Sequence, residues 1–117
     1  LRLADALVHD FVGMHPGSAI NNQLTRAAAA LEMPLKLRIQ VTGYDALCLM
    51  VAAGLGVGVM PRGSARLYGS ALAVRTITLD EPWARRQLML CRRSHESLSP
   101  AARLLADHLS AAAAPSP

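Results

Sequence analysis

Aromatic side chains are scarce in this 117-residue chain: one Trp, one Phe and two Tyr. A surface that stacks successive bases on aromatic faces is therefore not encoded, and the core must be built from Leu, Val, Ala, Ile and Met. Lysine is nearly absent too, since eleven of the twelve basic residues are arginine. The net charge of +4 is scattered along the chain. Doublets occur only at Arg85-Arg86 and Arg92-Arg93, and no basic stripe follows a helical period. We read this as a solvated or partner-facing surface rather than a DNA groove binder. The two cysteines, Cys48 and Cys91, each sit inside an apolar run. Buried free thiols are expected, which excludes a disulfide framework and suits a reducing cytoplasm. His9, His15, His95 and His108 lack metal-ligand spacing, so neither a metal nor a cofactor is expected. No apolar run reaches the roughly 18 residues of a membrane span, and no signal-peptide pattern opens the chain.

What is present suffices for one α/β domain. Hydrophobic residues make up 52% and charged residues 17%, the balance of a packed core. The spacing predicts a helical turn over Leu3 to Val8 and a short strand over Phe11 to Met14. A turn at His15-Pro16-Gly17 and a helix capped by Ser18 follow. Ile20, Leu24, Ala27, Ala28 and Leu31 share the apolar face of that helix, and Pro34 ends it. Lys36 to Val41 alternates polar and apolar as a half-buried strand does. Thr42 and Asp45 match a capping box for the next helix. A buried strand at Gly56 to Met60, a helix at Arg62 to Leu67 and strands at Leu72 to Leu79 and Leu88 to Cys91 come next. Ser99-Pro100 opens a last helix, with an Arg103–Asp107 pair one turn apart. Strands alternating with helices imply a mostly parallel sheet covered by helices.

The glycines at 54, 56 and 58 do not form a dinucleotide fingerprint. Val59 stands where the third glycine should be, and the run goes from helix to strand rather than strand to helix. Gly54 fits a helix end, and Gly56 and Gly58 fit a strand crossed closely by a helix. No nucleophile elbow is present. Only Asp45 and His15 lie near the strand ends, and Asp45 is explained as a cap, so the chain is read as no enzyme. Two helix starts, at Ser18 and at Thr42-Gly43, each follow a strand directly, and Met60-Pro61-Arg62 turns beside them. Such turns meet at the carboxyl edge of a parallel sheet, where open α/β sheets bind ligands. Free amides there favour a carboxylate or another anion.

The order of these motifs resembles the effector-binding domain of LysR-type transcriptional regulators. The likeness runs through Phe11-Val12-Gly13, Pro16-Gly17-Ser18-Ala19 and Val41 to Ala46. It is most specific from Val51 to Pro61, and Glu81-Pro82-Trp83 and Leu98 to Ala102 agree with it. The resemblance implies a fold like the type 2 periplasmic binding proteins. The second lobe would span residues 11–83, residues 1–10 and 84–113 would be remnants of the first lobe, and 114–117 a tail. It also implies a small-molecule effector held by the turns Pro16, Gly17, Ser18, Ala19; Thr42, Gly43, Tyr44; and Met60, Pro61, Arg62. A homo-oligomer is implied, with the helix at Arg62 and the strand from Leu72 at its interface. DNA would be bound only through a winged helix-turn-helix that this sequence does not contain. The rival reading is one lobe of a solute-binding transport protein.

Overall fold

The computed structural model describes residues 1–113; the tail expected at 114–117 lies outside them. Among these residues the elements are α1 (Leu3–Ala6), β1 (Phe11–Met14), α2 (Ala19–Ala30), β2 (Leu37–Val41), α3 (Tyr44–Ala52), α4 (Arg62–Gly69), a 3-10 turn (Pro82–Ala84) and α5 (Pro100–Ala112). The described residues form two compact units, 1–85 and 86–113.

In the first unit β1 is the central strand. Its successive amides point to opposite sides: Phe11 N donates to Lys36 O (2.8 Å) and Val12 N to Val57 O (2.8 Å). β2 pairs with β1 in parallel, with Val12 opposite Ile39 and Met14 opposite Val41. On the other flank Val57 bridges Phe11, again in parallel. The strand expected at 56–60 is thus reduced to a bridge at Val57, whose O accepts from Val12 N and whose N donates to Asp10 O. β1 is buried throughout, so alternate residues serve opposite faces. Phe11 joins Leu3, Leu7, Leu24 and Ala28 beneath α2, while Val12 and Met14 join Leu47 beneath α3. Helices thus cover both faces, the α/β layering expected from the order of elements.

Two glycines allow the close approach. Gly56 has φ +151°, and a Cβ there would run into the Asp10 carbonyl. A Cβ at Gly58 would lie 2.5 Å from Leu47 Cδ2. The third strand can therefore lie tight against β1 and α3.

Several expectations fail. Residues 72–79 and 88–91 are not strands among the described residues. The first lies outside any ladder, and among the described residues its only backbone pairing with a distant segment is with Leu1. Leu1 N donates to Thr78 O (3.1 Å) and Leu1 O accepts from Asp80 N (2.8 Å). Leu88, Met89 and Leu90 are exposed rather than packed. Cys91 is exposed as well, while Cys48 is buried as expected. Leu3, Ala6 and Leu7 of the N-terminal segment pack in the core of the first unit with Phe11, Leu24 and Ala28. They are tied there by Glu81, which accepts from Leu3 N at 2.8 Å and pairs with Arg2 at 3.2 Å.

In the second unit Ser99 caps α5 by accepting from Ala102 N, with Pro100 at the first position. The Arg103–Asp107 pair does not form: Arg103 instead donates to the carbonyls of His95 and Glu96, anchoring the preceding turn. Leu104, Leu105 and Leu109 on α5 are exposed.

Candidate functional site

The register decides which turns are neighbours. Met14 and Val41 are directly paired at the ends of β1 and β2, so the turn His15–Ser18 and the turn Thr42–Gly43 leave the sheet side by side. Val57 lies opposite Phe11 in a parallel sense. Three residues further along each strand come Met60 and Met14, which share the cluster beneath α3. Pro61 and Arg62 therefore follow at the same edge. The register thus brings the first two turns together at the ends of β1 and β2, and the third follows the Val57 bridge on the other flank of β1.

The first turn is built around the cap of α2. Ser18 is extended (φ −65°, ψ 144°) and its Oγ accepts from Asn21 N at 3.2 Å. The Ser18 amide is not free, since it donates to His15 O at 3.2 Å. Asn22 N returns to Ser18 O, which leaves the Ala19 and Ile20 amides as the α2 donors without a partner among the described residues. Pro16, Gly17 and Ala19 are exposed and Ser18 half-buried. His15 is exposed, with Nδ1 3.1 Å from Pro16 O.

The second turn departs from the expected capping box. The N-cap of α3 is Gly43 rather than Thr42, and no side chain caps it. Asp45 instead folds its carboxylate over Gly43. Thr42 is thereby left exposed with its hydroxyl uncommitted among the described residues. Tyr44 is half-buried against the cluster of Val12, Met14 and Leu47. The Asp45 carboxylate already stands at the α3 terminus, so this helix start is less favourable for a further negative charge than that of α2.

In the third turn Pro61 is the N-cap of α4 and offers no side-chain cap. Met60 turns inward, its sulfur 3.8 Å from Cys48 Sγ. Burial, followed by the Asp45 charge, pushes the Cys48 thiol above its ordinary range, so it stays protonated. Pro61 and Arg62 are exposed.

Two features escaped the sequence reading. Asn21 is buried, and its Oδ1 has no partner among the described residues. Its position beside the apolar residue Ile20, one step off the helical stripe, was the available signal. The second is an open groove lined in part by Trp83, α1 and α2, which shares no residue with the strand edge. No group of His, Cys, Asp and Glu among the described residues could hold a metal, and none of their helices is long and apolar enough to cross a membrane.

The model of the LysR substrate binding domain family matches residues 1–114. An uncharacterized HTH-type transcriptional regulator, YfeR of Shigella flexneri, is 46% identical over 59% of this chain. The match spans only 22% of that relative's own length. No solved structure matches significantly. Edge geometry, helix order and the family match together place the chain: it belongs to the LysR substrate-binding domain family.

Proposed function

We propose that the chain is the effector-sensing part of a LysR-type transcription regulator, and that its effector sits at the carboxyl edge of the sheet. The observation that carries this is the register of β1 with β2 and of Val57 with Phe11. It gathers three turns that are separate in sequence, at the place where open α/β sheets bind ligands.

The roles follow from the groups each turn offers. Pro16 and Gly17 bring the chain into α2, and Ser18 holds its first turn so that the Ala19 and Ile20 amides stay available. A carboxylate of the effector would accept from these two amides, favoured by the α2 dipole. Thr42 offers a hydroxyl, Gly43 a close backbone approach and Tyr44 a ring edge. Met60 and Pro61 close the side, and Arg62 supplies the positive charge. The effector is thus a small carboxylate-bearing molecule, and the role is regulation rather than catalysis.

Sensing requires that the effector bind two arrangements of the parent unequally. A site on one lobe meets that need when a second lobe completes it in only one arrangement. The division of this chain at residues 85 and 86 supports a crossing between lobes there. On α4, Leu67 and Tyr68 are exposed, which supports a homo-oligomer contact on that helix. DNA contact would belong to another part of the regulator.

Thr42→Val in the full-length regulator tests the site. Valine keeps the shape and removes only the hydroxyl. The effector response in a reporter assay should weaken while the unfolding midpoint stays within the small range of a surface change. An unchanged response would remove Thr42 from the site.

A further inference from the structure

The groove beside Trp83 lies between α1, α2 and the 3-10 turn, with a volume of about 300 Å³. That is the lower end of the range, about 300–1,000 Å³, in which small molecules are held. It is lined by Leu3, Trp83, Ala27 and Ala30 of α2, and by two charged side chains, Arg26 and Glu81. Short alanine side chains keep α2 from filling the space. Trp83 packs part of its ring on the core formed by Leu3 and Phe11 and lends the rest to the groove.

The two charges are not equivalent. Glu81 is committed: it accepts from Leu3 N at 2.8 Å and pairs with Arg2 at 3.2 Å. Arg26 makes no hydrogen bond or ion pair among the described residues, where the ion pairs are Arg2–Glu81 and Arg38–Asp10. The one uncommitted charge of the groove, among the described residues, is therefore a guanidinium, beside an indole and an apolar wall. A planar ring can pack against the indole in an offset or edge-on arrangement, and a carboxylate on that ring can take the Arg26 donors. We infer that the groove is a second ligand site, separate from the strand edge, for a single-ring aromatic carboxylate. It stands on its own residues and does not depend on the proposed effector site.

Trp83 is the only tryptophan of the chain, so its indole N–H gives a single, assigned-by-composition resonance in a nitrogen-15-labelled sample. Benzoate is the probe and benzyl alcohol its uncharged counterpart. The expected result is a saturable shift of the indole and of the Ala27 and Ala30 amides with benzoate, and about fivefold weaker binding of benzyl alcohol. Arg26→Gln, on an exposed helix face, should weaken benzoate by a similar factor and leave benzyl alcohol unchanged. Ala30→Leu should fill the groove and abolish both. The inference is overturned by an indole that does not respond saturably, by equal affinity for the two probes, or by indifference to Arg26→Gln. Shifts confined to residues 18–19 and 43–44 would also overturn it, by placing benzoate at the strand edge.

Discussion

Adding a methyl group at Gly58 tests how the third strand is seated. A Cβ there would meet Leu47 Cδ2 at 2.5 Å, Cγ at 3.2 Å and Cδ1 at 3.4 Å. Leu47 has little room to yield, because it is 2% exposed and packed with Val12, Met14 and Ile20. Gly58→Ala should therefore cost about 1–3 kcal/mol through overpacking. Leu47→Ala should cost about 2–5 kcal/mol through the cavity it leaves. In the double variant the new methyl group enters the space that Leu47 vacates, so the two losses should fall short of additive by at least about 1 kcal/mol. Replacing glycine by alanine also restricts the unfolded chain, which stabilises by roughly 0.4–1 kcal/mol, but this is the same in both backgrounds and cancels in the cycle. Urea unfolding followed by circular dichroism gives the four midpoints, with constant slopes confirming that the same surface is exposed. Additivity within about 0.5 kcal/mol would mean that Gly58 and Leu47 do not touch, and the third strand would have to be placed elsewhere.

Four further outcomes follow. Ser18→Ala removes the acceptor of Asn21 N and should cost about 1 kcal/mol in a urea midpoint, with Ser18→Asp restoring most of it; equal midpoints for all three would deny the cap. Alkylation of the folded chain near neutral pH should label Cys91 and spare Cys48 until denaturant is added. Burial and Asp45 raise the folded Cys48 thiol above its ordinary value of 9.0, so the unfolded chain loses the proton first. Its contribution is full below about pH 9 and is lost as pH rises through the folded value; Cys48→Ala should remove that part of the alkaline decline, and an unchanged decline would contradict it. Glu81→Ala leaves Leu3 N without its acceptor and Arg2 without its partner, for a loss of about 1–3 kcal/mol; a midpoint shift near zero would show that the N-terminal segment is not held this way.

What could be read from the sequence was what local chemistry decides. β1 and α2 stand where the pattern placed them, because Ser18 caps and the apolar spacing of α2 is continuous. The helix itself ends at Ala30, ahead of Pro34, with Leu31 as its C-cap and Glu32 at φ 53°. Gly56 and Gly58 were legible as close approaches because glycine has little other reason to recur there. The expectations that failed were those that depended on a partner. Leu72 to Leu79 and Leu88 to Cys91 have the composition of strands, yet a strand is a pairing. Among the described residues the backbone of the first meets only Leu1 from a distant segment, at Thr78 and Asp80, and Leu88 to Leu90 lie exposed. Lys36 to Val41 alternates, but only the ends of β2 are half-buried, since its outer face lacks a cover in this unit. The capping box at Thr42 does not form: Gly43 is the N-cap of α3 and no side chain caps it. The site was legible as a set of turns, but their adjacency came only from the register. Asn21 and the Trp83 groove depend on packing between distant segments, which no local spacing reports.

Binding of a small carboxylate where the three turns meet is open to a direct check. Amide chemical shifts of this chain, titrated with succinate as the probe, provide it. The largest changes should fall on Ala19 and Ile20, with smaller ones on Gly43, Tyr44 and Arg62, and Ser18→Ala should reduce them together. Saturable changes centred on other residues, with these amides unmoved, would mean that the carboxylate binds elsewhere.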